Sequence, residues 1–278
     1  MSTVLTRGIT GIVLISIITT AILASLYSFI GLLFIINLLG LIEFYKLIAK
    51  EPIHPNLKEG IFLSVVLFLS SSLMLCRYFD WPVLLINVVS VAIIFFLELY
   101  RSSSNPFQNL ALTFFGIIYI TLPIILFEGI SLLPFHEGAY HPKIILGYFI
   151  LLWMSDSAAY AVGNLAGRHK LFERISPKKT WEGSIGGGLF AFGSAYLISI
   201  FVNEVSLRDW MIMCLIIVVM GTYGDLFKSI LKRSANVKDS GNLLPGHGGI
   251  LDRFDSLIGS APFVFGYLLF FRDSEFLF

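Results

Sequence analysis

The stretch KDSGNLLPGHGGILDRFDS, residues 238–256, concentrates charge and glycine in a chain that is otherwise apolar. Its ionisable members are Lys238, Asp239, His247, Asp252, Arg253 and Asp255. A cap at the start of a helix would explain one aspartate, but not this mixture of carboxylates, cations and a histidine. The glycines permit positive φ and close approach of the backbone to a ligand. The pattern favours a site that holds a polyanion together with a metal.

A second group of charges lies just before this run. Asp225, Lys228 and Lys232 are spaced so that they share one face of a helix. On such a face the carboxylate and the lysines either neutralise one another, or they present a metal ligand and cations to one phosphate chain. Both interpretations remain open from the spacing alone.

Three further carboxylates stand in apolar segments. Asp156, in LLWMSDSAAYAVGN, lies well inside its segment, where a charge is costly and usually functional. Glu43 and Glu98 lie near the ends of theirs. We interpret these two as interfacial residues.

The segment GRHKLFERISPKKTWEGSIGGG forms a possible partner for the charged run. Hydroxyl and basic side chains precede a glycine-rich stretch that is predicted to begin a helix, namely Ser176, Lys178, Lys179 and Thr180. Together with a helix N-terminus they make an anion site. Basic residues in short loops also arise for topological reasons, so the segment gains meaning only beside the first run. Neither segment contains GxxxxGK[ST], which argues against a P-loop NTPase.

Residues 229–255 resemble the signature of the phosphatidate cytidylyltransferases, also called CDP-diacylglycerol synthases. The matching positions are Ser229, Lys232, Arg233, Lys238, Asp239, His247, Gly248, Gly249, Asp252, Arg253 and Asp255. SDSAAYAVGNLAGRHKL, ISPKKTWEG and GDLFKS are also similar, so the resemblance covers roughly the C-terminal half. The chain departs from the pattern at Phe227-Lys228, where the family often has an acidic residue, and at Ser157-Ala158. The first departure leaves the role of that position open.

The resemblance implies that CTP and phosphatidic acid are converted to CDP-diacylglycerol and pyrophosphate, a step of phospholipid biosynthesis. It implies Mg²⁺ held by Asp225 and Asp252, and a homodimer; Asp156 is a further candidate ligand, and a second cation is compatible with so many carboxylates. The predicted catalytic residues are Asp225, Lys238, Asp239, Asp252 and Asp255. The predicted substrate-binding residues are Ser176, Lys178, Lys179, Thr180, Lys232, Arg233, His247 and Arg253. His247 either donates to a phosphate or orders the turn.

The elements that must position these residues are membrane helices. Of 278 residues, 56% are hydrophobic and 13% charged, against about 25% charged in soluble domains. We predict an all-α polytopic membrane protein with about nine spans, between eight and ten. They lie near residues 9–26, 27–47, 61–76, 82–99, 108–127, 144–163, 184–202, 210–230 and 256–271. The net charge of +1 gives no electrostatic basis for binding nucleic acid.

The chain reads as one membrane-embedded unit. Residues 1–140 supply about five helices, and residues 141–278 form the catalytic half with polar loops at 164–183 and 231–255. Basic residues accumulate on the cytoplasmic side of membrane proteins. A cytoplasmic N-terminus places fifteen lysines and arginines on that side and four on the other. Both polar loops then face the cytoplasm, at the inner membrane in bacteria, and can share one site.

Two other functions fit parts of the pattern. A CTP-dependent lipid kinase would use the same nucleotide and metal, but it would release CDP and would need a general base. A transporter would use Asp156 and Asp225 as coupling-ion sites near the middle of the membrane, with similar halves. The charges instead crowd at one face of the C-terminal half, and no internal repeat is visible.

Overall fold

A computed structural model describes residues 3–50, 53–133, 139–237, 239–241, 243–244, 246 and 248–271. The first helices are α1 (Thr3–Ala24), α2 (Leu26–Ile48), α3 (Leu57–Leu75) and α4 (Leu85–Leu99), the last preceded by a 3₁₀ turn at Trp81–Leu84. A continuous span follows, made of α5 (Pro106–Gly116), a π turn (Ile117–Thr121) and α6 (Leu122–Ile130). The remaining helices are α7 (Pro142–Ala166), α8 (Trp181–Phe201), α9 (Leu207–Ser234) and α10 (Leu251–Phe271).

Within the described residues, eight helical segments are long and apolar enough to cross a membrane. The apolar part of α1, Gly8–Ala24, is shorter and would make a ninth. The prediction of an all-α polytopic membrane protein is confirmed at this level. Many large apolar side chains point outwards, as at Leu165 and Leu189, which suits a surface surrounded by lipid.

The connections that carry the charged motifs differ from the predicted loops. α7 continues to Ala166 and α8 begins at Trp181, so the first connection is only 167–180. It contains an antiparallel hairpin of β1 (Lys170–Phe172) and β2 (Ser176–Thr180), where the sequence predicted a loop. The second connection is 235–250 rather than 231–255, because α9 and α10 extend into it. The residues around Lys232 and Asp252 are therefore held on helices.

Small residues bring α7 and α8 together. A Cβ atom on Gly183 would lie 2.7 Å from the carbonyl oxygen of Ala159, and one on Gly187 would lie 2.6 Å from that of Ser155. Backbones approach this closely in membrane helices only where side chains are minimal. The glycine-rich start of α8 therefore sets its N-terminus beside the part of α7 that carries Asp156.

α9 and α10 cross in the same way at Gly224 and Gly259. A Cβ on Gly224 would lie 2.4 Å from the carbonyl oxygen of Asp255, and a Cβ on Gly259 would lie 2.6 Å from the Cα of Gly224. The crossing places the last turns of α9 against the first turns of α10. Asp225 is thereby brought next to the beginning of the last helix.

Candidate active site

Four helix ends and the hairpin surround a polar cavity of about 620 Å³, a size typical of small-molecule sites. The C-terminal ends of α7 and α9, the N-terminal ends of α8 and α10, and β2 supply its walls. Its charged lining residues are Asp156, Lys170, Lys178, Lys179, Asp225, Lys228, Asp252 and Asp255. Four aspartates face four lysines, so the formal charges of the lining cancel. The first motif-bearing connection lines the cavity through the hairpin, whereas the described residues of the second do not line it and adjoin it only through the ends of α9 and α10.

Lys228 lies at the centre of the charged side chains. Its ammonium donates to Asp255 and lies 2.8 Å from Oδ1 of Asp225 and 3.5 Å from Oδ1 of Asp252. Lys228 is only 6% exposed, so carboxylates rather than water must stabilise its charge. We call Lys228, Asp225, Asp252 and Asp255 the lysine-centred cluster.

Asp252 has partners on both carboxylate oxygens. Oδ1 accepts from the Nζ of Lys232 at 2.7 Å and faces Lys228. Oδ2 accepts from the backbone nitrogen and the hydroxyl of Ser240, at 2.9 and 3.0 Å, and from the backbone nitrogen of Gly249 at 3.3 Å. Asp252 therefore joins the lysines of α9 to the connection between α9 and α10.

Asp225 connects the cluster to the hairpin and stays partly open. Its Oδ2 lies 2.5 Å from the Nζ of Lys179, and its side chain keeps 25% of its surface. Asp156 also lines the cavity and is exposed. Thr180 caps α8, since its hydroxyl accepts from the backbone nitrogen of Gly183 at 3.2 Å. The cap directs the N-terminus of α8 towards the lysines of β2.

Glu43 and Glu98, which we interpreted as interfacial residues, are both buried within the protein. Glu43 is 9% exposed and accepts hydrogen bonds from the backbone nitrogens of Ile250 and Leu251. Glu98 is 6% exposed and accepts from the Nδ2 of Asn56. Position near a helix end does not imply exposure here, because a neighbouring element covers each carboxylate.

An apolar groove of about 560 Å³ lies on another face of α9. Tyr223, Phe227 and Ile230 of α9 line it, whereas Asp225 and Lys228 face the polar cavity. The hairpin takes part in both spaces: Phe172 lines the groove and Lys179 lines the cavity. One helix and one hairpin thus separate an apolar space from a charged one.

The sequence pattern of the cytidylyltransferase family matches residues 5–271. This match extends over both halves of the chain, including the helices before α7. The chain belongs to this family. The polar cavity is therefore the candidate active site of a cytidylyltransferase, and it is built from the segments that carry the family signature.

Individual relatives agree with the family match. A phosphatidate cytidylyltransferase of Thermotoga maritima is 32% identical over 262 residues, which cover 91% of this chain and 93% of that protein. One from Rickettsia bellii is 36% identical and covers 78% of this chain and 93% of its own length. One from Haemophilus influenzae is 37% identical and covers 68% of each chain.

The predicted cytidylyltransferase residues occupy three kinds of position. Those that line the cavity are Asp156, Lys178, Lys179, Thr180, Asp225, Asp252 and Asp255, and Lys232 contacts Asp252 from beside it. Those that do not line it are Ser176, Arg233, Asp239 and Arg253. Lys238 and His247 lie outside the described residues. The positive φ predicted in the glycine run occurs at Gly246 and Gly248, with values of 74° and 83°.

The sequence-based assignment of site residues left out Lys170 and Lys228, which line the cavity. The spacing from Asp225 already put Lys228 on the correct face. Lys228 stands where the family often has an acidic residue, so the family pattern gives it no role. The burial of its ammonium is a property of the assembled helices.

Proposed function

We propose that this chain is a phosphatidate cytidylyltransferase, which joins CTP and phosphatidic acid to give CDP-diacylglycerol and pyrophosphate. The observation that carries the proposal is the lysine-centred cluster in a cavity at the ends of membrane helices. A charged site at the ends of membrane helices lets the head group of a lipid meet a soluble nucleotide, while the acyl chains of the lipid stay among apolar surfaces. Relatives that carry this name are similar over most of the chain.

The chemistry needs no protein nucleophile. A phosphate oxygen of phosphatidic acid forms the new bond to the α-phosphorus of CTP, and the bond from that phosphorus to the β-phosphate oxygen breaks. Pyrophosphate leaves with the electron pair. The task of the protein is to position two anions and to balance charge as it moves. Lys170, Lys178 and Lys179 line the cavity from the hairpin and would contact the phosphates.

A divalent cation such as Mg²⁺ is part of the proposal. Its four aspartates and four lysines already balance, so two anionic substrates require added positive charge. Mg²⁺ typically binds one or two carboxylates together with substrate phosphates. Asp225 and Asp156 would hold it, since both carboxylates are accessible from the cavity. Asp252 would bind the ion only through Oδ1, the oxygen that faces Lys228 and Lys232, because Oδ2 accepts from Ser240 and Gly249. Such an ion would neutralise the triphosphate and the charge that develops on pyrophosphate.

Lys179 would move from the carboxylate of Asp225 to a substrate phosphate as the substrates bind. Lys179 contacts the partly open Asp225, and its own side chain keeps 27% of its surface. Because water reaches both side chains, separating this ion pair would leave neither charge buried without a partner. Lys228 is enclosed by three carboxylates. It would therefore hold these aspartates in place and contribute a fixed positive charge to the electrostatic potential of the site.

The site is proposed to face the cytoplasm, with the protein in the inner membrane and its N-terminus inside. Fifteen of the nineteen lysines and arginines fall on the site's side under this topology, as the positive-inside rule requires. A homodimer, implied by the family resemblance, belongs to the same proposal. Mass measurement of the purified protein in detergent tests that part.

The apolar groove would take an acyl chain of phosphatidic acid. It is lined by α9 and the hairpin, which also line the cavity, so a chain there would leave its head group close to Lys179. Ile230→Trp would narrow the groove, and Ile230 is 45% exposed. We expect the KM for long-chain phosphatidic acid to rise about tenfold, with little change for a short-chain analogue or for CTP.

Ile200→Trp is the matched control for this prediction. Ile200 is 54% exposed on α8 and does not line the groove. Equal effects of the two substitutions on long-chain substrate would remove the groove from the proposal, as would an equal rise in KM for short and long chains.

The reaction itself is tested with purified protein, CTP, phosphatidic acid and Mg²⁺, by measuring pyrophosphate and the CDP-lipid. Both products are expected in equal amounts and only when both substrates are present. A folded protein that forms neither product would contradict the proposal. Release of CDP instead of pyrophosphate would indicate a lipid kinase.

A further inference from the structure

Glu43, in the N-terminal half of the chain, contacts the start of α10, the helix that carries Asp252 and Asp255. Its Oε1 accepts from the backbone nitrogen of Ile250 at 3.0 Å, and its Oε2 accepts from that of Leu251 at 3.1 Å. These nitrogens stand at the start of α10, where a helix leaves its N–H groups without internal partners. A carboxylate satisfies them and suits the positive end of the helix dipole.

The same carboxylate approaches the connection that carries the family signature. The hydroxyl of Ser240 lies 3.4 Å from Oε2 of Glu43 and 3.0 Å from Oδ2 of Asp252. Asp252 also accepts from the backbone nitrogens of Ser240 and Gly249. The connection is therefore held between two carboxylates, one on α2 and one on α10.

Glycine at two positions makes this arrangement sterically possible. A Cβ on Gly249 would lie 2.4 Å from Oε2 of Glu43. A Cβ on Gly241 would lie 2.6 Å from Oε1, and its three nearest atoms would all belong to Glu43. At Gly249 the Oγ of Ser240 would lie closer still, at 2.3 Å, so a side chain there would displace Ser240 as well as Glu43, whereas a side chain at Gly241 would meet Glu43 first. The glycines of the signature thus serve an internal carboxylate as well as any ligand.

We propose that Glu43 is a positioning residue for cytidylyl transfer: it fixes Ser240 and the start of α10, and through them the orientation of Asp252. The inference rests on the proposed function. It gives α2 a specific role in the site, although the hydrogen bond to Ile250 joins residues 207 positions apart. Glu43 itself does not line the polar cavity.

Glu43→Gln tests the role with almost no change of shape. An amide has one acceptor oxygen and turns an NH₂ group towards the second backbone nitrogen. One of the two hydrogen bonds from Ile250 and Leu251, which together we call the Glu43 clamp, is therefore lost. We expect kcat to fall roughly 10- to 100-fold and the KM for CTP to change much less. Glu43→Asp, which keeps both acceptor oxygens, should recover part of the loss.

Glu98→Gln is the matched control. Glu98 is buried to a similar degree, but it accepts from Asn56 and has no hydrogen bond to the signature connection among the described contacts. The kcat of this variant should stay within about twofold of wild type, since only contacts remote from the site change, namely the hydrogen bond from Asn56 and the ion pair with Arg101. If both variants lost activity in step with their thermal stability, Glu43 would be a structural residue only.

Gly241→Ala reaches the same carboxylate by another route. Because the new methyl group would displace Glu43, this variant should resemble Glu43→Ala, and the double variant should be no worse than Glu43→Ala alone. Additive losses would show that Gly241 acts independently of Glu43 and would overturn the shared mechanism.

Hydrogen exchange of the Ile250 and Leu251 amides provides a readout that does not depend on activity. Exchange should be faster in Glu43→Ala and Gly241→Ala and unchanged in Glu98→Gln. Faster exchange with wild-type kcat would overturn the positioning role, and unchanged exchange would overturn the clamp itself. A wild-type protein that forms no CDP-lipid would instead refute the proposed function, while the exchange data would still report on the clamp.

Discussion

Replacing Lys228 by methionine is expected to reduce cytidylyl transfer by roughly 1,000-fold. The ammonium lies against Asp225, Asp252 and Asp255 and is almost fully buried. Without it, three carboxylates repel one another with little access to water. Removal of one partner from a buried ion pair typically costs about 3–5 kcal/mol. We therefore expect a lower free energy of unfolding as well as the loss of turnover.

Activity and thermal unfolding in detergent, measured together, separate these two effects. The double variant Lys228→Met with Asp255→Asn removes the buried charge that the single substitution leaves unpaired. It should recover much of the stability but not the activity. Wild-type turnover in the single variant would mean that Lys228 lies outside the catalytic machinery.

Asp252→Asn is expected to lower turnover by roughly 100- to 1,000-fold without affecting membrane insertion. Both carboxylate oxygens accept from donors: lysines on one side, and Ser240 and Gly249 on the other. Asparagine has one acceptor and one donor end. Either orientation of the amide therefore opposes a donor to a donor, and the connection or Lys232 must move.

The matched control is Glu173→Gln, an exposed acid-to-amide change on the hairpin turn. It should retain wild-type turnover and the same amount of protein in the membrane. Asp252→Asn with normal turnover would show that neither the lysine contacts nor the connection depends on the charge of Asp252.

The helical part of the fold follows from the sequence because hydrophobic runs of membrane length are unambiguous. The hairpin does not, because KLF and SPKKT are short, and the second is polar and contains a proline. The π turn at Ile117–Thr121 lies inside an uninterrupted apolar run. Nothing in local composition distinguishes that turn from an ordinary α-helix.

Part of the candidate site was predictable from spacing. The face shared by Asp225 and Lys228 was visible in the sequence, and their ion pair of 2.8 Å confirms that they face each other. The closeness of Asp225 to Asp255 depends on the crossing at Gly224 and Gly259, which spacing along one helix cannot reveal.

The position of Glu43 illustrates what sequence reasoning lacks. A glutamate near the end of an apolar helix favours an interfacial residue, but the same position also allows a buried acceptor. Only the docking of α2 against the start of α10 decides, through the bonds to Ile250 and Leu251. The glycines at 241 and 249 were visible in the sequence, but their relation to Glu43 requires the assembled fold.

The most direct test of the proposed activity follows the phosphorus atoms of CTP. Purified protein is supplied with phosphatidic acid, Mg²⁺ and CTP labelled at either the α- or the γ-phosphate. The α-label should enter the lipid, and the γ-label should appear in pyrophosphate, with both transfers lost in Lys228→Met. Entry of the γ-label into lipid, or no labelled lipid from a folded and membrane-inserted protein, would contradict cytidylyl transfer at this site.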